Sequence, residues 1–223
     1  MKAALIYTST TPELIENLER EVRARLGDGV ELISDQDPSI LAEVRQAGYV
    51  TPTAAARLMA MYCAAVSAGA DAILNVCSSV GEAADAFQAA ARYIGVPLVR
   101  IDEEMCRQAV RLGSRIGVLA TLPTTLTPTK NTLLRVAREM GRPITLTDGL
   151  VDAFGADQDQ FRQLLIGAAK AMADQVDVIV LAQGSMAYVE QDIEAAVGRP
   201  TLSSPRFGAE ALRRALLEKG CSL

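Results

Sequence analysis

Four cysteines (Cys63, Cys77, Cys106 and Cys221) and no histidine among 223 residues set the terms for any chemistry this chain performs. Without imidazole there is no Ser-His-Asp triad, no Cys-His dyad and no histidine general base. Acid–base work therefore falls to Cys, Asp, Glu, Lys or Tyr. The cysteines are scattered and show none of the C-x-x-C pairing of zinc sites, so no metal site is expected. Cys77 is the best placed for reactivity. It follows an apolar run over 72–76 and precedes Ser78, Ser79 and a helical stretch from Gly81. A thiol where a strand meets a helix feels the helix dipole, which lowers its pKa from about 8.5 and favours the thiolate. The competing reading is a small buried hydrophobe, the commoner fate of a cysteine. Cys63, inside the apolar stretch LMAMYCAAV, is expected in the core, Cys106 in helix packing, and Cys221 exposed in the tail.

Positioning such a thiol takes a strand that ends beside it, and short apolar runs alternate with longer amphipathic ones throughout the chain. The pattern predicts strands over 2–7, 30–34, 72–76, 97–101, 115–120, 144–147 and 176–181. Helices are predicted over 12–26, 40–47, 51–68, 81–94, 103–112, 129–140, 158–174, 187–197 and 205–217. Two open with a Thr-Pro pair (Thr11-Pro12, Thr51-Pro52) that suits the cap and first helical position. Strands of near-continuous apolar residues separated by helices imply parallel sheets covered on both faces, an α/β fold.

The elements also repeat. The segment over 71–79 (DAILNVCSS) aligns with that over 177–185 (DVIVLAQGS), and Gly95-Val96-Pro97 with Gly198-Arg199-Pro200. The strand over 115–121, followed by Leu122-Pro123-Thr124-Thr125, echoes that over 2–8, followed by Ser9-Thr10-Thr11-Pro12. The expected organisation is two similar Rossmann-like halves related by a pseudo-two-fold. The first comprises 1–100 plus 205–223 and the second 101–204.

In open parallel sheets, ligands bind beyond the carboxyl ends of the strands. Those ends here carry Thr8, Ser9 and Thr10; Cys77, Ser78 and Ser79; Thr121, Thr124 and Thr125; and Gln183, Gly184, Ser185 and Met186. Uncharged, hydroxyl-rich turns at helix starts suit an anion. With no Lys or Arg in these turns, a carboxylate is favoured over a polyphosphate. No G-x-G-x-x-G or Walker A pattern points to a nucleotide. A net charge of −5, from 22 basic and 27 acidic residues, argues against nucleic acid and anionic membranes as partners. The short N-terminal apolar run and the lack of any 18-residue apolar stretch predict a cytoplasmic protein with reduced thiols. The stretch over 58–70 is apolar on more than one face, which suits a core helix or the interface of a homo-oligomer.

The two-half layout, the cysteine on the turn after the third strand, the IGVLAT strand opening the second half and the VIVL run leading to Ser185-Met186 together resemble the aspartate/glutamate/hydantoin racemase superfamily, over nearly the whole chain. The resemblance implies a cofactor-independent enzyme with its active site in the cleft between the halves. It implies two cysteines on opposite sides of a substrate. One thiolate takes the proton alpha to a carboxylate and the other thiol returns a proton to the far face, while hydroxyls and amides of the turns hold the carboxylate and the enolate charge. The first family cysteine falls on Cys77. The second falls on Gln183, whose amide donates hydrogen bonds and transfers no proton. That departure resembles the one-cysteine arylmalonate decarboxylase branch in mirror image, since there the surviving cysteine is in the second half.

Three expectations follow. The first is a racemase-like isomerase with Cys77 as base and a small carboxylate as substrate. The second is a one-thiol lyase in which Gln183 hydrogen-bonds the enolate, and the third a carboxylate-binding protein without turnover. Tyr7, Glu82, Tyr188, Glu190 and Asp192 lie where a replacement acid could stand, and Ser79 and Ser185 are paired carboxylate ligands in the repeat. Few carboxylates near the turns offer an ammonium site, which tilts the substrate towards a cyclic amide or non-amino acid.

Overall fold

A computed structural model describes residues 1–153 and 156–222. In chain order the first elements are β1 (Lys2–Tyr7), α1 (Pro12–Leu26), β2 (Glu31–Gln36), α2 (Pro38–Ala47), α3 (Pro52–Ser67), β3 (Ala72–Asn75), α4 (Gly81–Ile94) and β4 (Leu98–Arg100). There follow α5 (Glu103–Leu112), β5 (Arg115–Ala120), α6 (Pro123–Glu139), β6 (Thr145–Leu150), α7 (Gln158–Met172), β7 (Val178–Leu181), α8 (Glu190–Val197), β8 (Thr201–Ser203) and α9 (Pro205–Glu218). They form two compact units, Met1–Ile101 with Pro205–Leu223, and Asp102–Ser204. Each unit holds a four-stranded parallel sheet, ordered β2-β1-β3-β4 in the first and β6-β5-β7-β8 in the second. The two halves repeat one topology.

Strand periodicity explains why β1 reads as unbroken apolar sequence. Ala4 and Ile6 face one core with α2, α3 and α4, while Ala3, Leu5 and Tyr7 face another with α1 and α9. Both faces are buried, so alternation disappears. The Thr-Pro starts behave as the cap chemistry requires. Thr11 and Thr51 accept hydrogen bonds through their hydroxyls from the backbone N–H of Leu14 and Ala54, at 3.3 and 3.1 Å.

The aspartate that opens each repeat has a structural task. Asp71 Oδ2 accepts the N–H of Lys2 at 2.9 Å, and Asp177 Oδ2 accepts those of Ser114 and Arg115 at 3.1 and 2.9 Å. In each unit a carboxylate thus pins the start of the neighbouring strand. The backbone donor of Lys2 is the main cause holding the Asp71 carboxyl below its ordinary value. The Arg115 side chain and backbone hold Asp177 at about 2.

Several elements depart from the sequence reading. Helix α6 begins at Pro123 rather than 129, with Pro128 inside it. An interior proline normally ends a helix. Here it falls in the second turn, where one backbone hydrogen bond is lost, and the Thr132 hydroxyl donates to the Pro128 carbonyl at 2.9 Å. Strand β8 has only three residues, too few to stand out as a run. Strand β6 continues through Asp148-Gly149, a turn-like pair, because a side chain at Gly149 would meet Leu119 and Met172 at 2.4 and 2.5 Å. Cys63 is exposed, not core. The helical period of α3 turns Leu58, Met61, Tyr62 and Ala65 inward and leaves Cys63 on the opposite face. Cys106 is buried, as packing requires, and Cys221 is half-buried against the α1–α9 core rather than free in the tail. Among the described residues no helix is long and apolar enough to cross a membrane.

Candidate active site

In both sheets the chain leaves the first strand towards one edge and the later strands are added on the other side, a topological switch point between β1 and β3 and between β5 and β7. Loops beyond such a point diverge and leave room for a ligand. In the first unit β1 pairs with β3 through Ile6 opposite Asn75, and the Val76 N–H donates to the Ile6 carbonyl at 2.9 Å. Carried two residues further, the register sets Thr8 beside Cys77. In the second unit Leu119 lies opposite Leu181, which sets Thr121 beside Gln183 in the same way.

Cys77 is half-buried, with extended backbone, and leads into a short 3-10 turn over Ser78–Val80 that runs straight into α4. Its carbonyl accepts from Asn75 Nδ2 at 2.9 Å, and Asn75 Oδ1 accepts from the Tyr62 hydroxyl at 3.0 Å. Asn75 and Tyr62 are fully buried. Thr8 and Ser78 are buried too, and neither hydroxyl has a hydrogen-bond partner among the described residues. A buried polar group left open in this way costs stability unless a ligand or water completes it. Ser79 is buried beside them. Ser9 is exposed, and Thr10 donates to the Thr11 carbonyl at 3.1 Å at the entrance to α1.

The turns carry no basic residue, but β4 brings one to them. Arg100 is 1% exposed, lies opposite Asn75 in the sheet and pairs with Asp85 at 2.7 Å. Its guanidinium packs flat on Gly81, the first residue of α4, where any Cβ would come within 2.3 Å of it. Sequence reasoning missed Tyr62, Asn75, Asp85 and Arg100. Two of them left a trace: Asn75 is the polar residue in the strand AILN and Arg100 closes the strand LVR.

The second unit's turn is built differently. Gln183 Oε1 accepts the Thr121 N–H at 2.8 Å, and Gln183 Nε2 donates to the Thr121 hydroxyl at 2.7 Å. Thr124 and Thr125 stand on the first turn of α6, not in a strand-end loop, with the Thr124 hydroxyl oxygen buried and unbonded among the described residues. Gly184 and Ser185 are half-buried in the 3-10 turn Gly184–Val189, and Met186 is fully buried in the apolar cluster with Val189 and Ile193.

Of the residues that stood where a replacement acid could lie, Tyr188, Glu190 and Asp192 are engaged elsewhere, while the buried Tyr7 hydroxyl has no hydrogen-bond partner among the described residues. Tyr188 stacks on Phe161 at 6.2 Å, Glu190 accepts the Ser203 N–H at 2.7 Å, and Asp192 pairs with Arg162 at 2.9 Å. Burial, reinforced by the charge of Glu19, pushes the Tyr7 phenol well above its ordinary value of 10.0. Glu82 is exposed on the first turn of α4. Among the described residues no group of three or more His, Cys, Asp or Glu side chains could hold a metal ion.

The model of the Asp/Glu/hydantoin racemase family matches residues 4–212. The chain belongs to that family. Its fold is similar to that of allantoin racemase from Klebsiella pneumoniae, with a TM-score of 0.70 and 18% identity over 100% of this chain and 89% of that one. Glutamate racemase from Francisella tularensis is similar over 98% of this chain and 82% of its own, with a TM-score of 0.68 at 12% identity. Aspartate racemase from Picrophilus torridus matches over 100% of this chain and 95% of its own, with a TM-score of 0.67 at 14% identity. No curated protein matches in sequence. In this racemase-family chain the duplicated sheet gives each half an equivalent turn, one ending in a thiol and the other in an amide closed on a threonine.

Proposed function

We propose that this chain is a cofactor-independent isomerase in which Cys77 is the base that removes the proton alpha to a carboxylate or cyclic-amide carbonyl of a small molecule. The observation that carries this reading is the combination of a half-buried thiol at a switch point with two adjacent buried hydroxyls, Thr8 and Ser78, that lack partners. A thiolate there takes the proton and, because the Gln183 amide transfers none, water returns one to the opposite face of the enolate. The hydroxyls and the backbone N–H groups of the following turn donate to the oxygen on which negative charge develops, the arrangement that lowers the barrier to enolate formation. Ser79 serves in this reading as a carboxylate ligand, and no cofactor is required.

A lyase reading is favoured by one observation, the amide at Gln183. Without a second thiol, an enolate formed by loss of CO2 is protonated from Cys77 on one face and gives a single enantiomer. The two reactions share Cys77, which takes a proton in the first and gives one in the second, and they differ in what leaves the alpha carbon.

The test is polarimetry on enantiopure hydantoins, allantoin, aspartate and glutamate, with CO2 release from aryl malonates followed in parallel. Loss of optical activity that disappears in Cys77→Ala supports the isomerase. CO2 release with the same dependence supports the lyase, and turnover that survives Cys77→Ala overturns both.

A further inference from the structure

The two halves share a topology, and the difference between them around the thiol exceeds what the fold requires. Aligning Asp71 with Asp177 puts Asn75 against Leu181 and Cys77 against Gln183. The sheet registers then put Arg100 against Ser203, because Arg100 lies opposite Asn75 and Ser203 opposite Leu181. The half that carries the thiol therefore has a buried amide and a buried guanidinium where the other has a leucine and a serine. Burying a guanidinium is unfavourable unless it is paired, and pairing seldom repays the whole cost. A leucine and a serine do the same structural work in the second sheet, with no buried charge.

We propose that Arg100, held by Asp85, is a positioning residue that keeps Cys77 in its thiolate form, a role that rests on Cys77 being the catalytic base. Arg100 packs on Gly81, at the amino end of the helix that the Cys77 turn feeds, so its charge adds to the dipole of that helix. The Tyr62–Asn75 chain fixes the Cys77 carbonyl, and with it the position of the turn in this field. Burial holds the Tyr62 phenol well above its ordinary value, with the charges of Cys77 and Asp85 acting in the same direction and that of Arg100 against them. These four side chains share one electrostatic neighbourhood.

The other charges on the elements packed around the turn are local or paired. Helix α4 adds the exposed Glu82. Helix α2 adds Asp37 at its cap and Glu43, both paired with Arg57 of α3. Arg45 of α2 is exposed. Arg100 is thus the buried cation among them, and Asp85 sets how much of its charge is felt.

The experiment is the pH dependence of iodoacetamide alkylation of Cys77, in a Cys63→Ser, Cys221→Ser background so that the exposed and half-buried thiols do not contribute. Only the thiolate reacts, so the midpoint reports the thiol pKa. Arg100→Met should raise the midpoint by about one pH unit, a roughly tenfold slower reaction at neutral pH. Arg100→Lys should hold it near the parent value. Asp85→Asn should move it down, because it removes the opposing negative charge. A role limited to packing moves the midpoint the same way in both variants or not at all, and either result overturns the proposal. If Arg100→Met does not fold, the downward shift in Asp85→Asn still decides it. Alpha-proton exchange that survives Cys77→Ala would instead remove the base assignment, and this leaves the alkylation midpoints readable.

Discussion

Gln183 is closed onto Thr121, its carbonyl oxygen on the threonine N–H at 2.8 Å and its amide nitrogen on the threonine hydroxyl at 2.7 Å. The side chain that stands against Cys77 in the repeat thus ties the turn after β7 to the end of β5. Its two hydrogen bonds make it a structural clamp in the half that lacks the thiol. Gln183→Ala should lower stability by about 1–3 kcal/mol, the net worth of two such bonds. Urea unfolding followed by circular dichroism checks this. Unchanged stability would mean the clamp is not formed in solution.

Thr8 occupies the equivalent place in the first unit and lacks the equivalent partner. Thr8→Val should leave the free protein equally stable or slightly more so, since it removes a buried unpaired hydroxyl. The same change should raise KM by roughly tenfold or more, because a hydrogen bond to a charged ligand is lost. Thr121→Val should behave in the opposite sense, costing stability through the Gln183 clamp. Denaturant melts and steady-state kinetics on the two variants separate these roles.

Asp177 anchors the second sheet, and its acid response has a defined sign. Its carboxyl titrates at about 2 when folded, against an ordinary value of 3.8, with the Arg115 side chain and the backbone of Arg115 as the leading causes. A folded-state pKa below the unfolded one contributes stability that is present above the ordinary value and lost as pH falls towards the folded one. Asp177→Asn should therefore flatten the decline in stability between pH 3.8 and about 2. Thermal melts across that range check it, and an unchanged acid limb would remove Asp177 as its source.

Much of this architecture was legible from strand patterning and from the repeat. The near-continuous apolar runs mark parallel strands buried on both faces, and the Asp71/Asp177 correspondence marks the duplicated sheet. What escaped the sequence was set by tertiary context. Pro128 looks like a helix breaker but costs one hydrogen bond so early in α6. Strand β8 is three residues long, and Cys63 lies in an apolar stretch yet on the outer face of its helix. The strand-end positions of Cys77 and Thr8 were legible, because a hydroxyl and a thiol follow directly on apolar runs. Arg100, Asp85 and Tyr62 were not, because they lie 23, 8 and 15 residues from Cys77 in sequence and come together only through the sheet register of β3 with β4 and the packing of α3 and α4. Gln183 was read as a donor to substrate, and its bonds to Thr121 emerge only from the paired ends of β5 and β7.

The most direct test of the central claim is deuterium incorporation at the alpha carbon in D2O. It is followed by NMR on hydantoins, allantoin, amino acids and aryl malonates, for the parent protein and Cys77→Ala. The account expects incorporation on at least one substrate and a fall of about 10²–10⁴-fold in Cys77→Ala, the usual worth of a general base. Incorporation at an equal rate in both proteins, or in neither on any substrate, would contradict Cys77 as the base.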